Sequence, residues 1–219
     1  MPLYREKGYL SGDQWDGFLE LYKVAPDNGR QYLLDSINWM AVENGQFEIS
    51  QMLKYLGDLF RYSVRSSEII EIKTEISHLR QYVYLQQRRY AYGFVCRIKV
   101  EKEVETCHIH KLLLQPLVEN AIIHGLDGCA NGYICIYAAQ KDGILRISVT
   151  DDGCGMGQEM LDWMNSPNPA KRDGHLGLYN VIQILKLYYG EEYGIQAESD
   201  TSGTTVTIRL PAKKEAPHV

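Results

Sequence analysis

Glycine divides this chain more sharply than any other residue. Of its 19 glycines in 219 residues, six fall in residues 1–92 and thirteen in residues 93–219. A glycine inside a helix or strand costs roughly 0.5–1 kcal/mol relative to alanine. The first part can therefore sustain long helices, whereas the second must turn often. Residues 1–29 read as irregular, with Pro26-Asp27-Asn28-Gly29 as a turn. A helix is expected next, with Leu33, Leu34, Ile37 and Met40 on one face and Asn44-Gly45 as its stop. A second helix carries Ile49, Met52, Leu53, Leu56, Leu59 and Phe60. A third runs from about Lys73 to Tyr92, with Ile76, Leu79, Val83, Gln86 and Tyr90 spaced as a heptad-type seam. Such a seam serves ordinary core packing or a helical dimerisation hairpin.

After Gly93 the pattern changes. Residues 94–100, 133–138, 145–150 and 204–210 read as strands, with apolar residues recurring at a period near two. Helices are expected over Lys111–His124, interrupted early by Pro116, and over Leu176–Tyr189. Strands and helices in this order predict an α+β fold: a two-layer sandwich with one mixed sheet and helices on one face, preceded by the helical segment.

Lys+Arg is 23 against Asp+Glu 28, a net charge of −5, which argues against nucleic acid as a partner. The five cysteines form no Cys-x-x-Cys pair and read as free thiols of a reducing compartment. No apolar run approaches the length of a membrane span, and the first residues lack a signal-type apolar core. The chain reads as cytoplasmic, with membrane attachment only through a sensor region further upstream.

Four segments could carry chemistry. In Gln115-Pro116-Leu117-Val118-Glu119-Asn120-Ala121-Ile122-Ile123-His124-Gly125, a helix would put Asn120 and His124 one turn apart, with Glu119 beside them. The Asn side-chain oxygen suits Mg2+, which takes few protein ligands beside phosphate and water. The same pattern fits an ordinary helix end with a glycine cap. In Asp151-Asp152-Gly153-Cys154-Gly155-Met156-Gly157, glycines at alternate positions follow a strand end. Its carboxylate could accept a hydrogen bond from an exocyclic amine. It is not a calcium loop, because Gly153 and Gly155 stand where oxygen-bearing side chains are required. The third segment is Gly174-His175-Leu176-Gly177-Leu178-Tyr179-Asn180-Val181, entering a helix whose first N–H groups attract anions. The fourth, Ser202-Gly203-Thr204-Thr205, turns into the last strand. His108 and His110 are spaced for one face of a strand; as a metal pair they lack an evident third ligand.

Taken in order, these segments resemble the ATP-binding domain of two-component sensor histidine kinases. That group is shared with gyrase, heat-shock protein 90 and mismatch-repair ATPases. The wording is nearest the LytS/YesM-type subgroup. Lys111 to Ala121 resembles its N box, Asp151 to Met156 its first glycine box, Gly177 to Val181 its second and Gly203 to Val206 its last. Leu79 to Tyr90 is similar to the helix joining that family's two domains. The likeness covers about residues 36–211. It divides the chain into a divergent segment 1–35, a helical dimerisation-type region 36–92, an ATP-binding catalytic domain 93–212 and a polar tail 213–219.

The resemblance implies roles. Asp151 would bind the adenine amine, and Asn120 would hold Mg2+ against the ATP phosphates. Glu119 would orient or polarise the attacking group, and His124 would lie near the phosphates. Gly153, Gly155, Met156, Gly177, Leu178, Gly203, Thr204 and Thr205 would line the nucleotide or its lid. It also implies a homodimer and a response regulator as partner.

The departures matter as much. The subgroup's phosphoacceptor histidine sits in an Asn-Pro-His-Phe-Leu-Tyr-Asn motif, and ungapped extension places Asn28 at that position. None of the six histidines precedes His78. His78 lies on a later helix and His218 in the tail, so neither substitutes. An arginine expected after the second box is Ile184, and position 110, often proline, is His110. The reading is therefore an ATP-dependent histidine-kinase module that does not phosphorylate itself in the usual way. The alternatives are a degenerate interaction module that binds nucleotide without turnover, and a Ser/Thr-directed relative of anti-sigma-factor kinase type. The 36–92 helical segment and the N-box wording disfavour the last.

Overall fold

The computed structural model describes residues 27–64, 68–90, 93–172 and 174–213. The chain forms two compact units, Met1–Tyr62 and Ser63–Val219.

In the first unit, helix α1 spans Asp27–Glu43 and α2 spans Phe47–Val64, the last two residues of α2 lying past the boundary at Tyr62. The 26–29 turn and the irregular reading up to residue 29 are corrected here: Asp27, Asn28 and Gly29 already belong to α1. Proline followed by an acidic residue is also a helix-start signature, and that meaning prevails. Residues 1–26 lie outside the described residues. The expected stop at Asn44-Gly45 is real. Gly45 has φ +68°. Its N–H bonds Val42 O at 3.0 Å, and the Gln46 N–H bonds Ala41 O at 2.7 Å. That paired arrangement closes a helix through a left-handed residue, which glycine adopts without strain. Ser50 Oγ donates to Asn38 Oδ1 at 2.6 Å and ties the two helices together.

The second unit begins with strand β1 (Ile69–Glu71), helix α3 (Ile72–Arg89), strand β2 (Phe94–Val100) and strand β3 (His108–His110). There follow helix α4 (Gln115–Asn120), β4 (Gly132–Lys141), β5 (Ile144–Asp151) and α5 (Gln158–Asn165). The last elements are α6 (Leu176–Tyr189), β6 (Gly194–Asp200) and β7 (Gly203–Pro211). The main sheet runs β2-β4-β5-β7-β6, and β1 and β3 form a separate two-stranded sheet. β2 and β4 are parallel; the other pairs of the main sheet are antiparallel.

One face of the sheet is apolar. Ile136 pairs with Val149, Val149 with Val206, and Val206 with Ala197, and all four are buried. α6 covers them with Leu178, Val181, Ile182 and Leu185, and the α4 region adds Leu117, Val118 and Ile122. On the opposite face Val95, Arg97, Lys99 and Arg146 are exposed. The expected α+β sandwich, with one mixed sheet and helices on one face, is therefore the fold.

The Lys111–His124 helix is corrected. Residues 111–114 form a turn in which Leu112 has φ +57°, and α4 starts at Gln115. Pro116 does not interrupt the helix but begins it, because the first-turn N–H it lacks would have no helical partner. After Asn120 the winding loosens into a π turn, Ala121–Gly125. In α3 the seam is largely buried: Ile76, Leu79 and Val83 lie inside, with Ile72, Glu75 and Tyr82. All five cysteines are free, and no helix among the described residues is long and apolar enough to cross a membrane.

Candidate functional site

β5 delivers Asp151 to the end of the sheet with its side chain on the apolar face, 5% exposed. Oδ1 accepts the Gly153 N–H at 3.1 Å. Burial pushes the carboxyl above its ordinary range, and the N–H groups of Gly153 and Thr204 pull it partly back. Its neighbour Asp152 does a different job. The Asp152 N–H bonds Tyr133 O at 3.1 Å, and its Oδ1 accepts the Tyr133 N–H at 2.6 Å. Asp152 thus closes the β4–β5 ladder from outside, while Asp151 points inward.

Glycines make the surroundings of Asp151 a cradle of bare backbone. A Cβ on Gly125 would stand 2.7 Å from the Asp151 carboxyl carbon, and one on Gly153 would stand 1.8 Å from Gly125 O. A Cβ on Gly203 would meet Asp151 O at 2.0 Å, and one on Gly155 would meet Asp200 O at 2.0 Å. Gly155 (φ +78°) and Gly203 (φ +139°) also hold conformations that disfavour side chains. The Cys154 N–H donates to Gly125 O at 3.0 Å, pinning the loop after β5 to the end of the π turn.

Ser199 on β6 is a site residue that the sequence reading missed. Its Oγ accepts the Met156 N–H at 2.7 Å and lies 3.0 Å from both Gly203 O and Thr204 Oγ1. It joins the first glycine segment to the last. The Gly-Ile-Gln-Ala-Glu-Ser-Asp run of this edge strand is too polar to announce a strand, and its only fully buried residue is Ala197. Thr204 faces Asp151, its strand partner. Thr205 does not: its hydroxyl lies 3.0 Å from Thr150 Oγ1 on the opposite face of the sheet.

Asn120 ends α4 and is 8% exposed. Glu119 is half-buried; Gln115 Nε2 donates to it at 2.8 Å, and the Tyr82 hydroxyl of α3 bonds it as well. Burial, and then that carboxylate, raise the Tyr82 pKa. At the start of α6 a Cβ on Gly177 would come 3.2 Å from Pro116 Cβ, so the third segment abuts α4. Leu178 behind it is core. The His124 and His175 rings stand 5.3 Å apart, with Trp163 beyond His175 at 6.3 Å. Burial, then His124 and Arg172, lower the His175 pKa. His108 and His110 share β3, and no cluster of three His, Cys, Asp or Glu able to hold a metal occurs among the described residues.

The donor set suits a purine nucleotide. It offers a buried carboxylate for an exocyclic amine, glycine backbone for close approach, and one hard amide oxygen. That oxygen could hold Mg2+ only together with phosphate.

Residues 32–94 match the family model "Histidine kinase", and residues 109–214 match "Histidine kinase-, DNA gyrase B-, and HSP90-like ATPase". Sensor histidine kinase YesM of Bacillus subtilis is 35% identical over 188 residues, covering 83% of this chain and 31% of that protein. Sensor histidine kinase YpdA of Escherichia coli is 29% identical over 88% of this chain and 30% of that protein. The chain thus spans about a third of the length of these relatives. Among solved structures, the Acinetobacter baumannii histidine kinase AdeS aligns with a TM-score of 0.52 at 16% identity, covering 91% of each chain. That likeness speaks to the fold alone.

Proposed function

The chain belongs to the sensor histidine kinases of LytS/YesM type, and from that membership we propose that its second unit is an Mg-ATP-binding catalytic module. The observation that carries this reading is Asp151: a buried carboxylate that accepts the Gly153 and Thr204 N–H groups and is enclosed by glycines from three separated segments. In this reading Asp151 accepts the adenine amine, and Thr204 and Ser199 hold the Gly203 turn beside it. Asn120 holds Mg2+ with the phosphates, and Glu119, oriented by Gln115 and Tyr82, faces the attacking group. His124 and His175 lie at the phosphate end. Met156, Gly177 and Leu178 bound the loop between the glycine boxes. Bound Mg2+ neutralises phosphate charge; the protein's share is positioning, which dominates phosphoryl transfer.

The reading extends to phosphorylation of a histidine and relay to a response regulator. Because Asn28 stands at the acceptor position, the receiving histidine belongs to another chain, or the module signals through nucleotide binding without turnover. α1 and α2 support dimerisation: Trp39, Met40 and Phe47 are exposed, Phe47 to 70%. A cytoplasmic placement, with a sensor region upstream, completes the proposal. Calorimetric titration with ATP and Mg2+ tests it. Micromolar binding that Asp151→Asn abolishes or weakens at least about tenfold supports it, and absence of binding overturns it.

A further inference from the structure

α4 begins without a capping residue of its own. Leu112-Leu113-Leu114 precedes it, and the Leu114 side chain caps nothing. Helices commonly start with Ser, Thr, Asp or Asn, whose side chains accept the first free N–H groups. In α4 the Leu117 N–H bonds Leu114 O at 3.2 Å, and a carboxylate from α3 holds the N–H groups of the cap residue Leu114 and of Leu112 before it. Glu75 is 2% exposed, its Oε2 accepts the Leu112 N–H at 3.0 Å, and its Oε1 accepts the Leu114 N–H at 3.1 Å. Leu112 holds a left-handed conformation (φ +57°) that a leucine adopts only under constraint. A buried carboxylate needs such partners.

Glu75 is itself well fixed. The Ile72 N–H bonds Cys107 O at 2.8 Å, and the Lys73 N–H bonds Glu105 O at 3.0 Å. β1, just before α3, pairs with β3, just before the Leu112 turn. One helical turn and a half separates Glu75's contacts from Asn120, because α4 spans only Gln115–Asn120. Tyr82, two turns along α3, reaches Glu119.

We propose that Glu75 is a positioning residue for the nucleotide site. From α3 it anchors Leu114 and the turn that leads into α4, sets where Asn120 stands, and so makes Mg-ATP affinity depend on how α3 is seated. This rests on the reading of Asn120 as the residue that holds Mg2+. Linkage makes the effect mutual: nucleotide with metal should tighten the Glu75 bonds.

The test is calorimetry on the full chain, wild type and Glu75→Gln, with ATP in Mg2+ and with ATP in EDTA. Gln keeps the shape but turns an amide NH2 toward one of the two N–H groups. The expected result is about a tenfold loss of affinity in Mg2+ and less than about a twofold change in EDTA. Unchanged affinity in both, or an equal loss in both, overturns the inference and leaves the ATP reading standing. Wild type that binds no ATP, or binds it without regard to Mg2+, overturns the Asn120 reading and the inference with it. If Glu75→Gln does not fold, amide exchange on wild type decides. Mg2+ with ATP should slow Leu112 and Leu114 exchange at least about fivefold beyond ATP in EDTA, and equal rates overturn the proposal.

Discussion

A Cβ on Gly153 would stand 1.8 Å from the carbonyl oxygen of Gly125, an oxygen that also accepts the Cys154 N–H. The two glycines lie 28 positions apart in sequence, one closing the π turn and the other opening the loop after β5. Neither can yield by rotating a side chain, because both contacts are backbone. Gly153→Ala is therefore expected to destabilise the second unit by about 1–3 kcal/mol, the range for overpacking that forces backbone shifts. Gly157→Ala meets nothing within 4 Å and serves as the control, with an effect below about 0.5 kcal/mol. Urea unfolding of both variants measures the difference.

Asp151 trades stability for an acceptor. Its carboxyl is raised by burial despite two backbone bonds, so folding shifts it toward the protonated form relative to the unfolded chain. A carboxyl raised on folding weakens the fold at pH values above its folded pKa and relieves it as pH falls. Asp151→Asn removes the buried charge. At pH 7 the ligand-free variant is expected to melt no lower than wild type, while losing about tenfold or more in ATP affinity. Melting curves with and without ATP separate the two effects; a large loss of melting temperature without ligand would mean that the charge is well compensated.

The parts that the sequence shows and hides differ for physical reasons. β4, β5 and β7 alternate apolar and polar residues because one face is buried, and that alternation marks them directly. β6 is an edge strand whose polar composition conceals it, so Ser199 was invisible as the link between Met156 and Thr204. The Asp-Gly-x-Gly run shows a cradle because bare backbone needs glycine. Which threonine faces it depends on register: Thr204 pairs with Asp151, and Thr205 turns to the other face. In the sequence Glu75 is simply one of several charges on an amphipathic helix. Its partners are N–H groups of leucines, which leave no side-chain signature.

His175 is expected to give the stability of the second unit a pH dependence. Burial, His124 and Arg172 lower its pKa, so protonation is resisted in the fold. For a base whose pKa falls on folding, the unfolded chain binds more protons between the two values. Stability is then lost as pH drops below about 6.5, the ordinary histidine value. His175→Phe keeps a ring against His124 and Trp163 without the proton site. It is expected to flatten the fall in melting temperature between pH 7 and pH 5.5. An unchanged slope would assign that dependence to another group.

Ungapped extension of the resemblance would put Asn28 at the subgroup's phosphoacceptor position; Asn28 lies in α1, four residues ahead of the family match over residues 32–94. Two explanations of the missing histidine make different predictions. If the catalytic unit is intact and only the acceptor is gone, Asn28→His restores the receiving imidazole. Incubation with radiolabelled ATP and Mg2+ should then give an acid-labile, base-stable labelled band that wild type lacks. Combining it with Asp151→Asn should sharply weaken the band at ATP concentrations below the variant's Kd, since the donor then binds about tenfold or more weakly. If the module has lost turnover altogether, Asn28→His stays unlabelled while its ATP affinity remains within about twofold of wild type. A strong phosphohistidine band from wild type itself would show that another of the six histidines receives the phosphoryl group. Single replacement of His78, His108, His110, His124, His175 and His218 would then identify it.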